Sequence, residues 1–206
     1  MKRSTYKNYL ATWINHAERQ FKNFEATVSV DDETIQIIDW KNTNDSSEYN
    51  MHIIFDKKKG HMYIDGDLGT AVFHFTENAD IDTISAYKSL SYFMEKMVCS
   101  TNDYSYDVAI AREDLEENLL SDKMSESDKE SAKALIEQIL DDYDQYGDGV
   151  CLSNEYIGQI AEFDPDYFEW AYSIGKLPAA RVIIWMKALQ MIKANIEKKA
   201  YEHDIF

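Results

Sequence analysis

Twelve residues, Asp144-Gln145-Tyr146-Gly147-Asp148-Gly149-Val150-Cys151-Leu152-Ser153-Asn154-Glu155, have the length and frame of an EF-hand calcium loop. Asp144 stands at the first position, Asp148 at the fifth, the turn-making Gly149 at the sixth and Glu155 at the twelfth. A hard cation needs six or seven oxygens. Three carboxylates, one of them able to bind through both oxygens, and the backbone carbonyl of Val150 supply about four to five before water. Two positions depart from the pattern. Tyr146 stands third, where Asp or Asn normally donates an oxygen, and Cys151 stands eighth, where Ile or Val is usual. No second loop is present to pair with it. Calcium binding at the weak end, about 10⁻⁴ to 10⁻³ M, is the expectation. The same residues also read as an acidic helix–turn–helix in which Gly147 and Gly149 end the first helix.

A second metal reading uses His52, His61 and His74, which fall in or beside neighbouring strands, together with Cys99. Three imidazoles and a thiolate hold zinc if they converge, although their spacing does not demand it and scattered strand-edge histidines are ordinary polar positions. His16 and His203 read as helix-surface residues. The chain contains no phosphate-binding glycine loop with lysine, no G-x-S-x-G, no H-E-x-x-H and no C-x-x-C. No nucleophile–base or paired acid–base arrangement can be named, so the expectation is a protein without enzymatic activity.

The third chemical feature is charge. Residues 101–155 hold sixteen Asp or Glu against four Lys or Arg, which accounts for most of the net −17 of the 206-residue chain. Such a balance disfavours direct contact with nucleic acid and anionic membranes, and favours basic partners or metal cations. Two amphipathic helices account for it as a solvated surface. One starts at Asp107 with Val108, Ala111, Leu115 and Leu119 inward; the other starts at Ser127 or Asp128 with Ala132, Leu135, Ile136, Ile139 and Leu140 inward. Carboxylates three and four apart on a helix lie roughly 5–6 Å from one another. That spacing resembles the charge pattern of a nucleic-acid backbone and fits a groove lined with Lys and Arg. Glu113, Asp114, Glu116 and Glu117 are the candidate partner-binding residues.

The elements that must position these groups follow from periodicity. Tyr49 to Phe75 carries three short apolar runs, separated by Asp56-Lys57-Lys58-Lys59-Gly60 and by Asp65-Gly66-Asp67-Leu68-Gly69, and reads as three antiparallel strands. Ala26–Val30 and Thr34–Trp40 add a strand pair, giving an antiparallel sheet of about five strands. An N-terminal helix carries the stripe Tyr6, Tyr9, Leu10, Trp13, Ile14, Ala17 and Phe21. A helix over about Asp82–Cys99 covers the sheet. Asp164-Pro165 opens a short aromatic helix ended by Gly175, and Leu177-Pro178 opens a last helix with Val182, Trp185, Met186, Leu189, Ile192 and Ile196 buried. The expectation is an α+β chain, with residues 1–100 as the sheet domain and 101–206 as an acidic helical part that either forms a subdomain or packs on the first as one unit.

Apolar residues make up 45% of the chain, enough for a full core. Two cysteines do not build a disulfide framework, and no apolar run or leader suggests a membrane or export, so a cytoplasmic protein is expected.

Two blocks carry a resemblance. Tyr63-Ile64-Asp65-Gly66-Asp67-Leu68-Gly69-Thr70-Ala71-Val72-Phe73 with Leu90-Ser91-Tyr92-Phe93 is the first. Trp170, Tyr172-Ser173-Ile174-Gly175, Arg181-Val182-Ile183-Ile184-Trp185 and Ala188-Leu189 form the second. Together they resemble a family of small proteins of phages and mobile elements of Gram-positive bacteria, one with no assigned chemistry. The resemblance implies no catalytic residues. Its genomic setting, joined to the acidic charge, implies an anti-CRISPR role inside the host cell: inhibition of a Cas9-type nuclease by protein–protein contact. A metal-binding regulatory or structural module, taking calcium or, in the alternative, zinc, is the second reading.

Overall fold

The computed structural model describes residues 4–44, 48–100, 103–146 and 153–203. The chain forms two compact units, one of residues 10–103 with 179–206 and the other of residues 1–9 with 104–178. The fold is α+β.

In the first unit, six strands follow one another as an antiparallel meander: β1 (Phe24–Asp31), β2 (Ile35–Asn42), β3 (Met51–Asp56), β4 (His61–Gly66), β5 (Ala71–His74) and β6 (Met97–Ser100). Alternate side chains point inward, as the pleat requires. Ile38, Trp40, Met51, Ile53, Phe55, Met62, Ile64, Ala71 and Phe73 are buried on one face. Helix α1 (Ser4–Gln20) delivers Ala17 to the same core, and Phe21 follows it in a 3₁₀ turn. The long helix α7 (Ala180–His203) adds Val182, Trp185, Leu189 and Ile192. The stripe predicted for the last helix is therefore the cover of the sheet, which is why α7 belongs with residues 10–103 and not with the acidic segment.

Gly60 makes the β3–β4 hairpin possible. Its φ is +67°, and a Cβ there would lie 2.4 Å from the Phe75 carbonyl oxygen, whose own amide donates to Gly60 O at 2.7 Å. No larger residue fits without moving backbone.

One predicted element is corrected. The helix expected over Asp82–Cys99 is two short helices, α2 (Ile81–Ser85) and α3 (Leu90–Glu95), followed by strand β6. Asp80 caps α2 and Ser89 caps α3, each accepting a backbone N–H three residues on. The second cap interrupts the first helix's register, and Met97-Val98-Cys99 instead satisfies the free edge of β5.

The second unit is mostly helical. Its elements are β7 (Tyr104–Tyr106), α4 (Val108–Leu119), α5 (Glu126–Tyr146), α6 (Asn154–Phe163), 3₁₀ turns at Tyr167–Glu169 and Ala171–Ser173, and β8 (Lys176–Pro178). Ala111, Leu115, Leu119, Leu135, Ile136, Ile139, Leu140, Ile160 and Ile174 form its core. The aromatic helix expected after Pro165 is the pair of 3₁₀ turns. Asp164 accepts the Trp170 indole N–H at 2.7 Å and the Asp166 amide at 2.9 Å, which stabilises turns in place of a continuous helix. β7 and β8 pair antiparallel, an element that periodicity in so short a segment does not announce. No helix among the described residues is long and apolar enough to cross a membrane.

Candidate functional site

The acidic residues divide into two kinds. Asp107 caps α4 through the amides of Ala109 and Ile110, at 2.9 and 3.0 Å. Asp114 points inward and is only 3% exposed. Its Oδ2 accepts the Gly175 amide at 2.8 Å, so this carboxylate holds the turn before β8 and is not offered to a partner. Glu113 is half-buried and accepts the Thr5 hydroxyl. Glu116 and Glu117 are exposed. The reason is helical phase: Asp114 sits one residue before Leu115 and three after Ala111, on the edge of the buried stripe.

Glu126, Glu130, Glu137 and Asp141 on α5 join Glu116 and Glu117 as exposed carboxylates. They are spaced by whole turns opposite Leu135, Ile136 and Ile139. Arg112 of α4 forks onto Glu137 of α5 through two bonds of 2.5 and 2.8 Å, tying the helices together. That bond holds the Glu137 carboxyl below its usual range. What remains is a surface of net negative charge in fixed register, on which Arg112 also approaches Glu116 at 4.0 Å and Lys129 pairs with Glu126 at 2.9 Å.

At the calcium-type loop, α5 ends at Tyr146 and α6 begins at Asn154. α5 therefore runs through the first three positions of the twelve-residue frame, and α6 takes up its last two. Asp144 falls on the last turn of α5, with its side chain outside the described set, and Asp148 and Val150 lie outside the described residues. Glu155 is exposed in the first turn of α6, whose N-terminus is capped by Ser153 through the Tyr156 amide. The two helices are joined by Tyr156. Its hydroxyl donates to Asp142 Oδ2 at 2.5 Å, which pushes the phenol up to about 12.

The zinc set does not assemble. Among the described residues no three His, Cys, Asp or Glu side chains converge on a metal position. Strand register gives the reason. His61 and His74 are cross-strand partners with ring centroids 4.7 Å apart. His52 lies four residues farther along the strands, opposite Asp39 and Asp65, where Asp39 binds its Nδ1 at 3.0 Å. Four residues of strand separate the two rows by about 13 Å. Cys99 stands opposite Val72, in the row between them.

Two features escaped sequence reading. The inward turn of Asp114 had one available signal, its place beside the Leu115 stripe. The Arg112–Glu137 fork had none, because the two residues meet only when α4 and α5 pack. No protein-family model matches the chain, and no curated protein and no solved structure matches it.

Proposed function

We propose that this protein is a non-enzymatic anti-defence inhibitor of the anti-CRISPR type, which occupies a basic nucleic-acid-binding channel of a host nuclease. The observation that carries the reading is the run of exposed carboxylates on α4 and α5, from Glu116 and Glu117 to Glu130 and Asp141. Held one or two turns apart on rigid helices, they offer a basic channel a preorganised set of charges at little cost in ordering. Asp114 is excluded from this surface because its carboxylate is buried.

The test is DNA cleavage by a guide-loaded Cas9-type nuclease with the purified protein added. Inhibition that weakens as salt is raised, and is lost in a chain with Glu116, Glu117 and Glu130 all changed to Lys, is the expected result. Inhibition that is absent, or indifferent both to salt and to these changes, overturns the reading.

A metal-binding module is the second reading, favoured by the helices that enter and leave within residues 144–155 and by the Tyr156–Asp142 bond that couples them. Calcium at a hundredfold excess over its dissociation constant would stabilise the helix pair by about 2.7 kcal/mol. A melting temperature that rises with calcium in the natural chain, and not in Glu155→Gln, supports it. A melting temperature indifferent to calcium removes it.

A further inference from the structure

The face of the six-stranded sheet turned away from α7 departs from the usual pattern. Outward positions of a half-solvated antiparallel sheet are normally polar. Here one complete row is apolar or weakly polar: Val30 pairs with Ile37, Ile37 with Ile54, Ile54 with Tyr63, Tyr63 with Val72, and Val72 with Cys99. The row crosses every strand without a break. Val30 and Tyr63 remain 37% and 39% exposed, and Cys99 is exposed. On one side it is bordered by Asp39, His52 and Asp65, and on the other by Ile35, Asp56, His61 and His74, with Asp39 meeting His52 and Asp56 meeting Lys59 within the chain.

We infer that this face is the contact surface between two copies of the chain. The charged borders are self-complementary. If the sheets stack about a two-fold axis running along the apolar row, each strand lies over its own copy. His52 then meets Asp56 of the second copy, and Asp65 meets its His61. If the axis runs along the strands, β3 lies over β4, His52 meets Asp65, and His61 meets Asp56. Either symmetric arrangement sets an imidazole against a carboxylate at the two central strands, and neither sets two carboxylates together there. Size agrees. Six strands about 4.8 Å apart and four to five residues deep make roughly 400–500 Å² per copy, about 800–1,000 Å² in all, the size of a weak association.

One alternative route to self-association, edge to edge through β1, is obstructed. The Ala26 amide donates to Asn195 Oδ1 at 3.0 Å, and the Ala26 carbonyl accepts from Lys199 Nζ at 3.1 Å. Side chains of α7 therefore occupy hydrogen-bonding groups that an added strand would need. The face remains.

Sedimentation equilibrium of the full chain between about 1 and 100 μM, in 0.15 and 0.5 M salt, tests this at the micromolar range such an interface reaches. The expected species has twice the 24.0 kDa chain mass and persists at the higher salt. Tyr63→Glu is expected to weaken the dimer tenfold or more while the circular dichroism spectrum is unchanged. Should that variant not fold, Asp65→Lys reads the same surface at an exposed position whose side chain bonds the Thr70 hydroxyl, since it places a cation against His52 or His61 of the second copy. A monomer at 100 μM in both salts, or a dimer that the variants leave unchanged, overturns the inference. Neither variant touches Glu116, Glu117 or Glu130, so nuclease inhibition and self-association fail separately.

Discussion

Single residues carry several of the structural decisions. Gly60 is one: replacement by Ala must both hold a positive φ and displace the Phe75 carbonyl, and a loss of more than about 2 kcal/mol is expected in urea unfolding. Tyr49 takes φ +64° without being glycine. Its ring packs against Phe21 and its hydroxyl meets His16 Nε2 at 3.0 Å, contacts that offset the strain. His16, expected on a helix surface, is thereby half-buried. Asp114→Ala leaves the buried Gly175 amide without its acceptor and is expected to lower stability by about 1–3 kcal/mol, with Asp114→Asn costing less because an amide oxygen can still accept. Asp32 shows the acid response. The Thr34 hydroxyl, with the Thr34 and Ile35 amides, pulls its carboxyl to about 2 from 3.8. A lowered value favours the folded state above the unfolded one. The contribution is therefore whole above about pH 4 and lost as pH falls toward 2. Acid unfolding of Asp32→Asn, followed by circular dichroism, should show a weaker dependence on pH across that window.

At the scale of elements, polar side chains join what apolar stripes bring together. Gln36 is buried, with its Oε1 accepting the first amide of α2 at 2.9 Å and its Nε2 donating to Asp31 at 3.1 Å. One side chain thus fixes β2 against the start of α2. The α5–α6 connection depends on Tyr156 in the same way. The Asp142 carboxylate raises the phenol from 10.0 to about 12. A raised value means that the bond contributes fully below pH 10 and is lost as pH climbs through 12. Tyr156→Phe is expected to lower the melting temperature at neutral pH and to remove the additional loss between pH 10 and 12, as read by thermal unfolding in each buffer. α7 serves both as cover and as a guard on β1. Replacing Asn195 and Lys199 with Ala frees the Ala26 amide and carbonyl, and light scattering should then report a greater tendency to associate on warming.

For the whole molecule, net charge and apolar surface pull in opposite directions. A charge of −17 opposes self-association at long range and favours contact with basic proteins. Added salt screens the first effect and weakens the second. Between 0.05 and 0.5 M salt, binding of a basic nuclease should therefore fall while the dimer constant holds or rises, a comparison made on one sample by sedimentation. Glu116→Lys with Glu117→Lys should reduce the salt slope of nuclease binding and leave the melting temperature nearly unchanged, because both side chains are exposed.

Periodicity alone determined the α+β class, the strands Ala26–Val30 and Thr34–Trp40, the meander from Tyr49 to Phe75, and the buried stripes of α5 and α7; on α4 it placed Ala111, Leu115 and Leu119 inside correctly, but Val108, at the helix start, is 39% exposed. Those are local properties, set by which residues recur at two or at three and four positions. Only tertiary structure decided that Met97–Ser100 is a strand, because the free edge of β5 settles it. Likewise, it placed α7 with the sheet across more than seventy intervening residues. It also sorted the candidate residues, turning Asp114 inward, leaving Glu116 and Glu117 outside, and setting His52 four residues of strand away from His61 and His74. The apolar outer row was half visible, in the doubled Ile37-Ile38 and Ile53-Ile54, since one residue of each pair must face away from the core. That these outward residues align into one unbroken line depends on five strand registers, and register is a relation between segments that no single segment contains.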